Sequence, residues 1–297
     1  MVQKKQLLLG GHMPILAGIE KAVMHAEALG FAAIQLFIYS NAEWIKHEMT
    51  ADQIDQFTKA LQGSSIQYVI GLDPYFTRFG FFQPERSRIM CDLVADELNL
   101  CEELGIQYLI IHPGTCSRIS SVDECFFQIS DHLDTVFKST MSTKPMIVLQ
   151  NMPGAGKSIF YSFEHLARLY NESTYKNRLG FCFDMANAFA GGYTMRSLQE
   201  YEAMWQEFDR FIGFDKLKVI HINDSQEPAG KGITSHAFIG KGQIPFEAFR
   251  LIMNDKRFFD IPKIIEIPAE TINDYKESMR VLIDLLEPVN KQLFGLE

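Results

Sequence analysis

The sequence predicts an α/β fold, a single (β/α)8 barrel of the TIM type that spans residues 1–297. Short apolar runs rich in β-branched residues alternate eight times with amphipathic stretches of helical periodicity, which is the order of elements in such a barrel. The apolar runs are almost unbroken, as in the segments YVIGL, YLIIH and KIIEI. Parallel strands that are buried on both faces need this continuous apolar character.

The strands and helices follow one another in a regular order along the chain. The predicted strands are Gln6–His12, Ala32–Ile38, Ile66–Asp73, Ile106–Gly114, Met146–Asn151, Gly180–Met185, Leu217–Asp224 and Lys263–Pro268. The predicted helices are Leu16–Gly30, Ala51–Gln62, Glu85–Leu104, Val122–Lys138, Phe163–Leu169, Leu198–Phe211 and Phe246–Asn254, with a last helix after Thr271. Glycines stand just past several of these helices, where they favour helix termination. Neither a low-complexity linker nor a block of like charge divides the chain, so we expect one domain.

The composition narrows the class of protein. Of 297 residues, 47% are hydrophobic and 22% are charged, which is enough to bury a large core and excludes disordered, collagenous and coiled-coil chains. We expect no transmembrane helix, because no apolar run reaches about 18 residues. The short apolar run near the N-terminus is interpreted as a strand and not as a signal peptide. The net charge of −9 gives no general attraction for nucleic acid, so DNA binding would need a local basic rim.

Five cysteines are present, an odd number without a CxxC pair. This pattern favours a reducing, cytoplasmic location and argues against both a disulfide framework and a zinc ribbon.

Polar residues end most of the apolar runs. In barrel enzymes the chemistry lies at the carboxyl ends of the strands, so these residues are the candidates for a functional site. They are His12, Asp73, His112, Gln150 with Asn151, Asp184, His221 with Asn223 and Asp224, and Glu266, and His236 follows in a glycine-rich loop. A single histidine at the end of a strand is usually a hydrogen-bonded residue of the fold without a catalytic role. Several carboxylates and imidazoles in one mouth repel or desolvate one another unless a cation compensates them, so we predict a divalent metal or a catalytic dyad.

The segment at residues 154–158, GAGKS, is similar to a phosphate-binding loop but lacks a required glycine, because position 151 is Asn. We interpret it as the loop after the fifth strand, in which Lys157 is placed to meet an anionic substrate.

The order of short motifs resembles the endonuclease IV family, metal-dependent apurinic/apyrimidinic endonucleases on a xylose-isomerase-like barrel. The resemblance extends from about Gly10 to Pro268. The motifs that carry it are GGH at 10–12, DPY at 73–75, HPG at 112–114, QN at 150–151, CFD at 182–184, AFAGGY at 188–193, HIND at 221–224, the loop from His236 to Gly242, and IIE at 264–266.

The resemblance implies a phosphodiesterase in which nine side chains hold three zinc ions. Five positions keep a ligand of the family's type, namely His112, Asp184, His221, His236 and Glu266. Four positions depart from the pattern: Leu72 and Asn187 replace histidines, Gln150 replaces the bridging glutamate, and Thr234 replaces an aspartate. Leucine cannot bind a metal, and Gln and Asn offer only a neutral carbonyl oxygen.

The losses leave one subsite nearly complete. Asp184, His221 and Glu266 remain there, with Gln150 as a fourth ligand. Three good ligands and one weak position are typical of a catalytic mononuclear site. We therefore expect one divalent ion, Zn2+ in the first place and Mn2+ or Mg2+ as alternatives. His112 and His236, ligands in the family, are then available together with Glu266 as catalytic groups. We do not expect a cysteine to replace a lost ligand.

The DNA contacts implied by the resemblance are partly present. Tyr75 matches a tyrosine that penetrates the duplex, whereas Ala42 stands where the family has an arginine. His12, Asn223 and Lys157 are the further residues that we expect to contact the substrate.

Three functions are compatible with the sequence. The leading one is cleavage of DNA at abasic sites with a reduced metal site. The second is a one-metal sugar isomerase or epimerase, although Gln150 cannot carry a proton as the second glutamate of such epimerases does. The third is an inactive relative that keeps the fold for binding, because a fold does not by itself determine a function.

Overall fold

The structure, a computed structural model, describes residues 5–38, 49–74, 79–80, 83–116, 121–154, 159–269 and 271–296. Eight parallel strands close into a barrel in which β1 pairs with both β2 and β10, so the predicted fold class is confirmed. The barrel strands are β1 (Leu9–His12), β2 (Ala33–Phe37), β3 (Tyr68–Leu72), β4 (Tyr108–Ile111), β5 (Met146–Gln150), β6 (Leu179–Asp184), β7 (Leu217–His221) and β10 (Lys263–Ile265). A small antiparallel hairpin, β8 (Asp224–Ser225) and β9 (His236–Ala237), lies beyond β7.

Helices surround the barrel. They are α1 (Ile19–Ala28), α2 (Ala51–Gln62), α3 (Pro84–Leu104), α4 (Val122–Ser139), α5 (Phe163–Glu172), α6 (Met185–Ala190), α7 (Leu198–Phe211), α8 (Phe246–Asn254), α9 (Ile272–Asp284) and α10 (Pro288–Phe294). Local sequence determines several of their ends. Thr50 and Ser121 begin α2 and α4 with capping boxes, in which the hydroxyl accepts a backbone N–H that would otherwise lack a partner. Gly105 ends α3 in the left-handed conformation that glycine adopts without strain.

Every barrel strand except β1 contributes to two separate apolar clusters. In β4, for example, Leu109 and Ile111 pack in the large cluster between strands and helices, whereas Ile110 belongs to a second cluster inside the barrel. Side chains alternate between the two faces of a strand, so a continuous apolar run supplies both clusters. The inner cluster consists of Ala33, Ile70, Leu72, Ile110, Val148, Cys182, Val219 and Ile264.

The structure departs from the predicted elements mainly at the carboxyl ends of the strands. The strand predicted over Leu217–Asp224 ends at His221, and the strand predicted over Lys263–Pro268 ends at Ile265. Beyond His221 the Asn223 side chain bonds to the backbone of Glu266, and Asp224 accepts backbone N–H groups of the following loop, so polar side chains replace the strand ladder there. The structure also contains α6, α10 and the β8–β9 hairpin, which have no counterpart among the predicted elements.

In the described part of the chain, no helix combines the length and the apolar character that crossing a membrane requires.

The cysteine pattern argues against a disulfide framework, but the structure contains one disulfide. Cys116, in the loop after β4, and Cys125, in α4, form a disulfide with their Cα atoms 5.5 Å apart. The two residues are nine positions apart in the chain, and only the return of α4 beside the end of β4 brings them together. Cysteine usage therefore gives no support for a reducing compartment, and Cys116 does not offer a free thiolate to a metal. Cys91, Cys101 and Cys182 are free and buried.

We expect the denatured, unreduced chain to expose three free thiols and the reduced chain five, because one pair is oxidised. Titration with a thiol reagent in denaturant gives the count. Five thiols without prior reduction would contradict the disulfide. Reduction should also lower the free energy of unfolding by about 2–3 kcal/mol, since a short loop in the unfolded chain is then no longer closed. The double variant Cys116→Ala, Cys125→Ala is the control, and its stability should not respond to reductant.

Candidate functional site

The candidate site is one layer of inward-facing side chains at the carboxyl ends of the strands. Because side chains alternate along a strand, the residue two positions beyond each member of the inner apolar cluster faces inward again. In β4 this step leads from Ile110 to His112, and in β6 from Cys182 to Asp184. The barrel interior thus changes from apolar to polar within one layer. We call this set the polar layer; its members are His12, Gln35, His112, Gln150, Asp184, His221 and Glu266.

Gln35 joins four strands of the barrel and is not among the site residues predicted from the sequence. Its Oε1 accepts a hydrogen bond from Nε2 of His221 at 2.7 Å. Its Nε2 donates to Oε1 of Glu266 and to Nδ1 of His12, the latter at 3.1 Å. Gln35 is completely buried. Because it lies inside the apolar run AIQLF and does not end a run, only its spacing of two residues from the inward-facing Ala33 would have identified it.

Two asparagines fix the main chain and side chain of Asp184. The Asn151 Oδ1 accepts the backbone N–H of Asp184 at 2.7 Å, and its Nδ2 donates to the Asp184 carbonyl at 3.0 Å. Asp184 is also the N-cap of α6, since its Oδ1 accepts the backbone N–H of Asn187 at 2.6 Å. A short-chain carboxylate at the N-cap, directly before the first helical residue, accepts a hydrogen bond from a backbone N–H that has no partner within the helix. The second oxygen, Oδ2, remains directed at the site.

Asn223 lies between the two buried carboxylates. Its Nδ2 donates to Oδ2 of Asp184 at 2.8 Å and to Oε2 of Glu266 at 3.3 Å. Its Oδ1 accepts the backbone N–H of Glu266 at 2.7 Å. The amide thus holds β6, β7 and β10 together and supplies the carboxylates with a partly positive donor.

A loop fixed by Asp224 carries His236. Asp224 is fully buried, and its carboxylate accepts the backbone N–H groups of Gly240, Gly242 and Ile244 at 3.0, 2.9 and 3.2 Å. A Cβ on Gly242 would collide with Oδ1 of Asp224, so only glycine allows this approach. The loop is therefore anchored on both sides of His236, which is partly exposed at the mouth.

Three side chains place their ligand atoms close together. Atoms of Asp184, His236 and Glu266 all lie within 4.8 Å of one another. His221 approaches the same point, with its Nδ1 3.4 Å from Oδ2 of Asp184 and 3.6 Å from Oε2 of Glu266. Gln150 is buried beside them; its Nε2 lies 3.3 Å from Nδ1 of His221, and its Oε1 has no hydrogen-bond partner within the described ranges. Carboxylate and imidazole groups that converge in this way are suited to one divalent cation.

Burial and charge set the protonation of the layer. Burial raises the pKa of Glu266, but His221, His12 and His236 outweigh it and hold that pKa at about 2. Burial lowers the pKa of His112 to about 4 and also lowers the pKa of His12. At neutral pH, Glu266 is therefore a carboxylate, and His112 and His12 are neutral imidazoles.

A cavity of about 790 Å3 opens above the layer. Its lining residues from the polar layer are His112, Gln150 and Glu266, and His236 lies at its side. The remaining lining residues are uncharged: Gly114, Thr115, Met152, Pro153, Asn187, Gln226, Thr234, Ser235, Ile267 and Pro268. The size is within the range of small-ligand sites.

Three of the four positions that depart from the pattern implied by the resemblance make apolar or uncharged contacts. Leu72 is buried in the inner apolar cluster. Asn187 and Thr234 bond to each other, because the Thr234 hydroxyl donates to Oδ1 of Asn187 at 3.1 Å. The Asn187 Nδ2 donates in turn to the carbonyl of Asn151 at 2.9 Å. Two ligand positions of the family are thus occupied by an uncharged hydrogen-bonded pair.

The structure brings together most of the sequence-predicted site residues. His112, Gln150, Asp184, His221, His236 and Glu266 all lie at the mouth of the barrel or directly beneath it. His12 and Asn223 lie beside Glu266, to which Asn223 bonds. Tyr75 and Lys157 lie outside the described residues, so their predicted contacts with the substrate stay predictions, and Ala42, where the resemblance implies an arginine, lies outside them as well.

Comparison with known proteins gives the same fold and a family. A family model described as a xylose isomerase-like TIM barrel matches residues 23–285. Among solved structures, endonuclease IV from Thermus thermophilus is similar with a TM-score of 0.83 and 24% identity over 93% of this chain and 98% of the other. A D-tagatose 3-epimerase-like protein reaches a TM-score of 0.72 with 16% identity over 96% of this chain and 99% of the other. At these identities the two structures establish the barrel fold alone.

Sequence relatives are more specific. A probable endonuclease 4 of Chloroflexus aggregans is 35% identical over 259 residues, which are 87% of this chain and 90% of the relative. A probable endonuclease 4 of Campylobacter hominis is 31% identical over 281 residues, which are 94% of this chain and 98% of the relative. Similarity at this level extends over most of the chain. The chain therefore belongs to the endonuclease IV family of xylose isomerase-like TIM barrels.

Proposed function

We propose that this protein is a metal-dependent phosphodiesterase that cleaves DNA at abasic sites with a single divalent ion. The observation that carries the proposal is the convergence of Asp184, His236 and Glu266 within 4.8 Å at the barrel mouth. It is supported by relatives named probable endonuclease 4 at 31% and 35% identity.

The ion would be held by Asp184, Glu266 and His236, with Nδ1 of His221 directed at the same point. Gln150 lies beside His221, with its Nε2 3.3 Å from that nitrogen. Two carboxylates and two imidazoles favour Zn2+, and Mn2+ or Mg2+ are the alternatives. When bound, such an ion supplies Lewis acidity for the hydrolysis of a phosphodiester. It would also compensate the two buried carboxylates, to which the amide of Asn223 offers only a neutral donor.

The residues present fit one ion and not three. One of the family's positions is the apolar Leu72. Two more of these positions are Asn187 and Thr234. The Thr234 hydroxyl donates to Oδ1 of Asn187, so both groups are used in a hydrogen bond to each other. At the third ion of the family, only His236 would remain as a strong ligand. It is close enough to Asp184 and Glu266 to join them instead.

Protein groups must then take over tasks that further ions perform in the family. His112 lines the cavity and, with its pKa lowered to about 4 by burial, is neutral at pH 7. A neutral imidazole can accept a proton from water, so His112 is our proposed general base. His236, on the partly exposed hairpin, is proposed to bind the ion through one ring nitrogen, which leaves the N–H of the other to donate to the scissile phosphate. Tyr75, Lys157, His12 and Asn223 are the proposed substrate-binding residues.

We expect the purified protein, supplied with Zn2+ or Mn2+, to nick a duplex that contains one tetrahydrofuran abasic analogue. Asp184→Asn and Glu266→Gln should each lower the rate by at least about 100-fold, because each removes a carboxylate ligand. The readout is strand cleavage on a denaturing gel.

Two controls accompany the nicking assay. The undamaged duplex should stay intact, and Glu103→Gln, a matched change on the exposed face of α3, should leave the rate unchanged. Epimerisation of a ketose in the same metal buffer, without nicking of the abasic duplex, would contradict the proposal and favour the one-metal sugar epimerase.

We expect about one tightly bound divalent ion per chain by elemental analysis. The double variant Asn187→His, Thr234→Asp should bind a second ion, because it replaces the uncharged pair by an imidazole and a carboxylate beside His236. The control variant Thr234→Ser keeps the hydroxyl and should still bind about one ion per chain. Two or three ions in the unchanged protein would refute the mononuclear site.

A further inference from the structure

We propose that Gln35 is a positioning residue of the metal site: its carboxamide fixes the tautomer of His221 and the orientation of Glu266 for ligation. This role rests on the metal site proposed above. It concerns a residue of β2, a strand that contributes none of the proposed ligands.

The acceptor side of the carboxamide acts on His221. Nε2 of His221 donates to Oε1 of Gln35 at 2.7 Å, so the proton on that nitrogen is held in place. Nδ1 is then the nitrogen that faces Oδ2 of Asp184 at 3.4 Å and Oε2 of Glu266 at 3.6 Å. Metal-binding histidines generally donate their second ring N–H to such a partner, which fixes the tautomer and the direction of the ring.

The donor side acts on Glu266. Nε2 of Gln35 donates to Oε1 of Glu266 and to Nδ1 of His12 at 3.1 Å. With Oε1 engaged in this way, Oε2 is the oxygen that lies near His221 and Asn223. One carboxamide therefore orients two proposed ligands from opposite directions.

The chemistry of the layer favours glutamine at this position. The side chain must accept on one atom and donate on the other, and it must add no charge to a layer that already buries the carboxylates of Asp184 and Glu266. Both the amide nitrogen and the oxygen of Gln35 have partners, and the side chain is fully buried. Methionine has a similar length and provides neither function.

The experiment measures zinc affinity in variants of position 35 by competition with a fluorescent chelator. We expect Gln35→Met to bind zinc about 10–100-fold more weakly than the unchanged chain. Gln35→Glu keeps an acceptor oxygen for Nε2 of His221, which Gln35→Met removes. It should therefore recover part of that loss. Gln67→Met, a matched change of an exposed glutamine that bonds to Gln6, should bind as the unchanged chain does.

A spectroscopic readout separates positioning from general stability. In protein with 15N-labelled histidine, the Nε2–H resonance of His221 should move upfield in Gln35→Met, where its acceptor is lost. In Gln35→Glu it should stay downfield, because the acceptor is kept. The visible absorption of the Co2+-loaded protein should change in Gln35→Met, because the ring direction is no longer fixed. If Gln35→Met does not fold, Gln35→Glu and its resonance still test the contact.

The outcomes distinguish the two proposals. Equal zinc affinity and an equal Co2+ spectrum in Gln35→Met and the unchanged chain would refute the role of Gln35 and leave the metal site standing. Zinc binding as weak in Gln35→Glu as in Gln35→Met, or an upfield Nε2–H resonance in Gln35→Glu, would refute the importance of the acceptor oxygen. If the unchanged chain binds none of Zn2+, Mn2+ and Mg2+, the proposed function is overturned, and the role of Gln35 with it.

Discussion

The structure of the site depends on the burial of two carboxylates, Asp184 and Glu266, inside a barrel whose next layer is entirely apolar. A buried carboxylate is costly unless donors or positive charge surround it. Here Asn223 donates to both, and Gln35 donates to Glu266. His221 lies within 3.6 Å of each. The polar layer is therefore a mutually dependent set, in which each side chain owes its ionisation or its orientation to the others.

That dependence explains why residues outside the proposed ligand set matter as much as the ligands. Asn151 holds the backbone of Asp184 on both its N–H and its C=O, and Asp184 in turn caps α6. Asp224 fixes the loop that carries His236. These contacts are made by backbone, carboxylate and carboxamide groups that are themselves held by the barrel. The fold thus pre-organises the layer for an ion or a substrate.

The departures from the endonuclease IV pattern are structurally coherent. Leu72 extends the inner apolar cluster by one position, and Asn187 with Thr234 forms a closed hydrogen bond. Where the resemblance implies further cations, the chain has apolar or neutral contacts that need none. The remaining negative charge is concentrated at Asp184 and Glu266, which is the physical argument for the single ion proposed above.

The barrel could be predicted from the amino-acid order, because eight apolar runs alternate with helices of matching length and period. Most of the polar layer could be predicted as well, since His112, Asp184, His221 and Glu266 visibly end apolar runs. Other features depend on the three-dimensional arrangement. Gln35 lies hidden within a strand, the disulfide joins residues that no motif relates, and the approach of His236 to Asp184 depends on where a loop folds back. A contact between residues that are distant in the chain depends on how the strands and loops pack in three dimensions. The local sequence around each residue does not determine that packing.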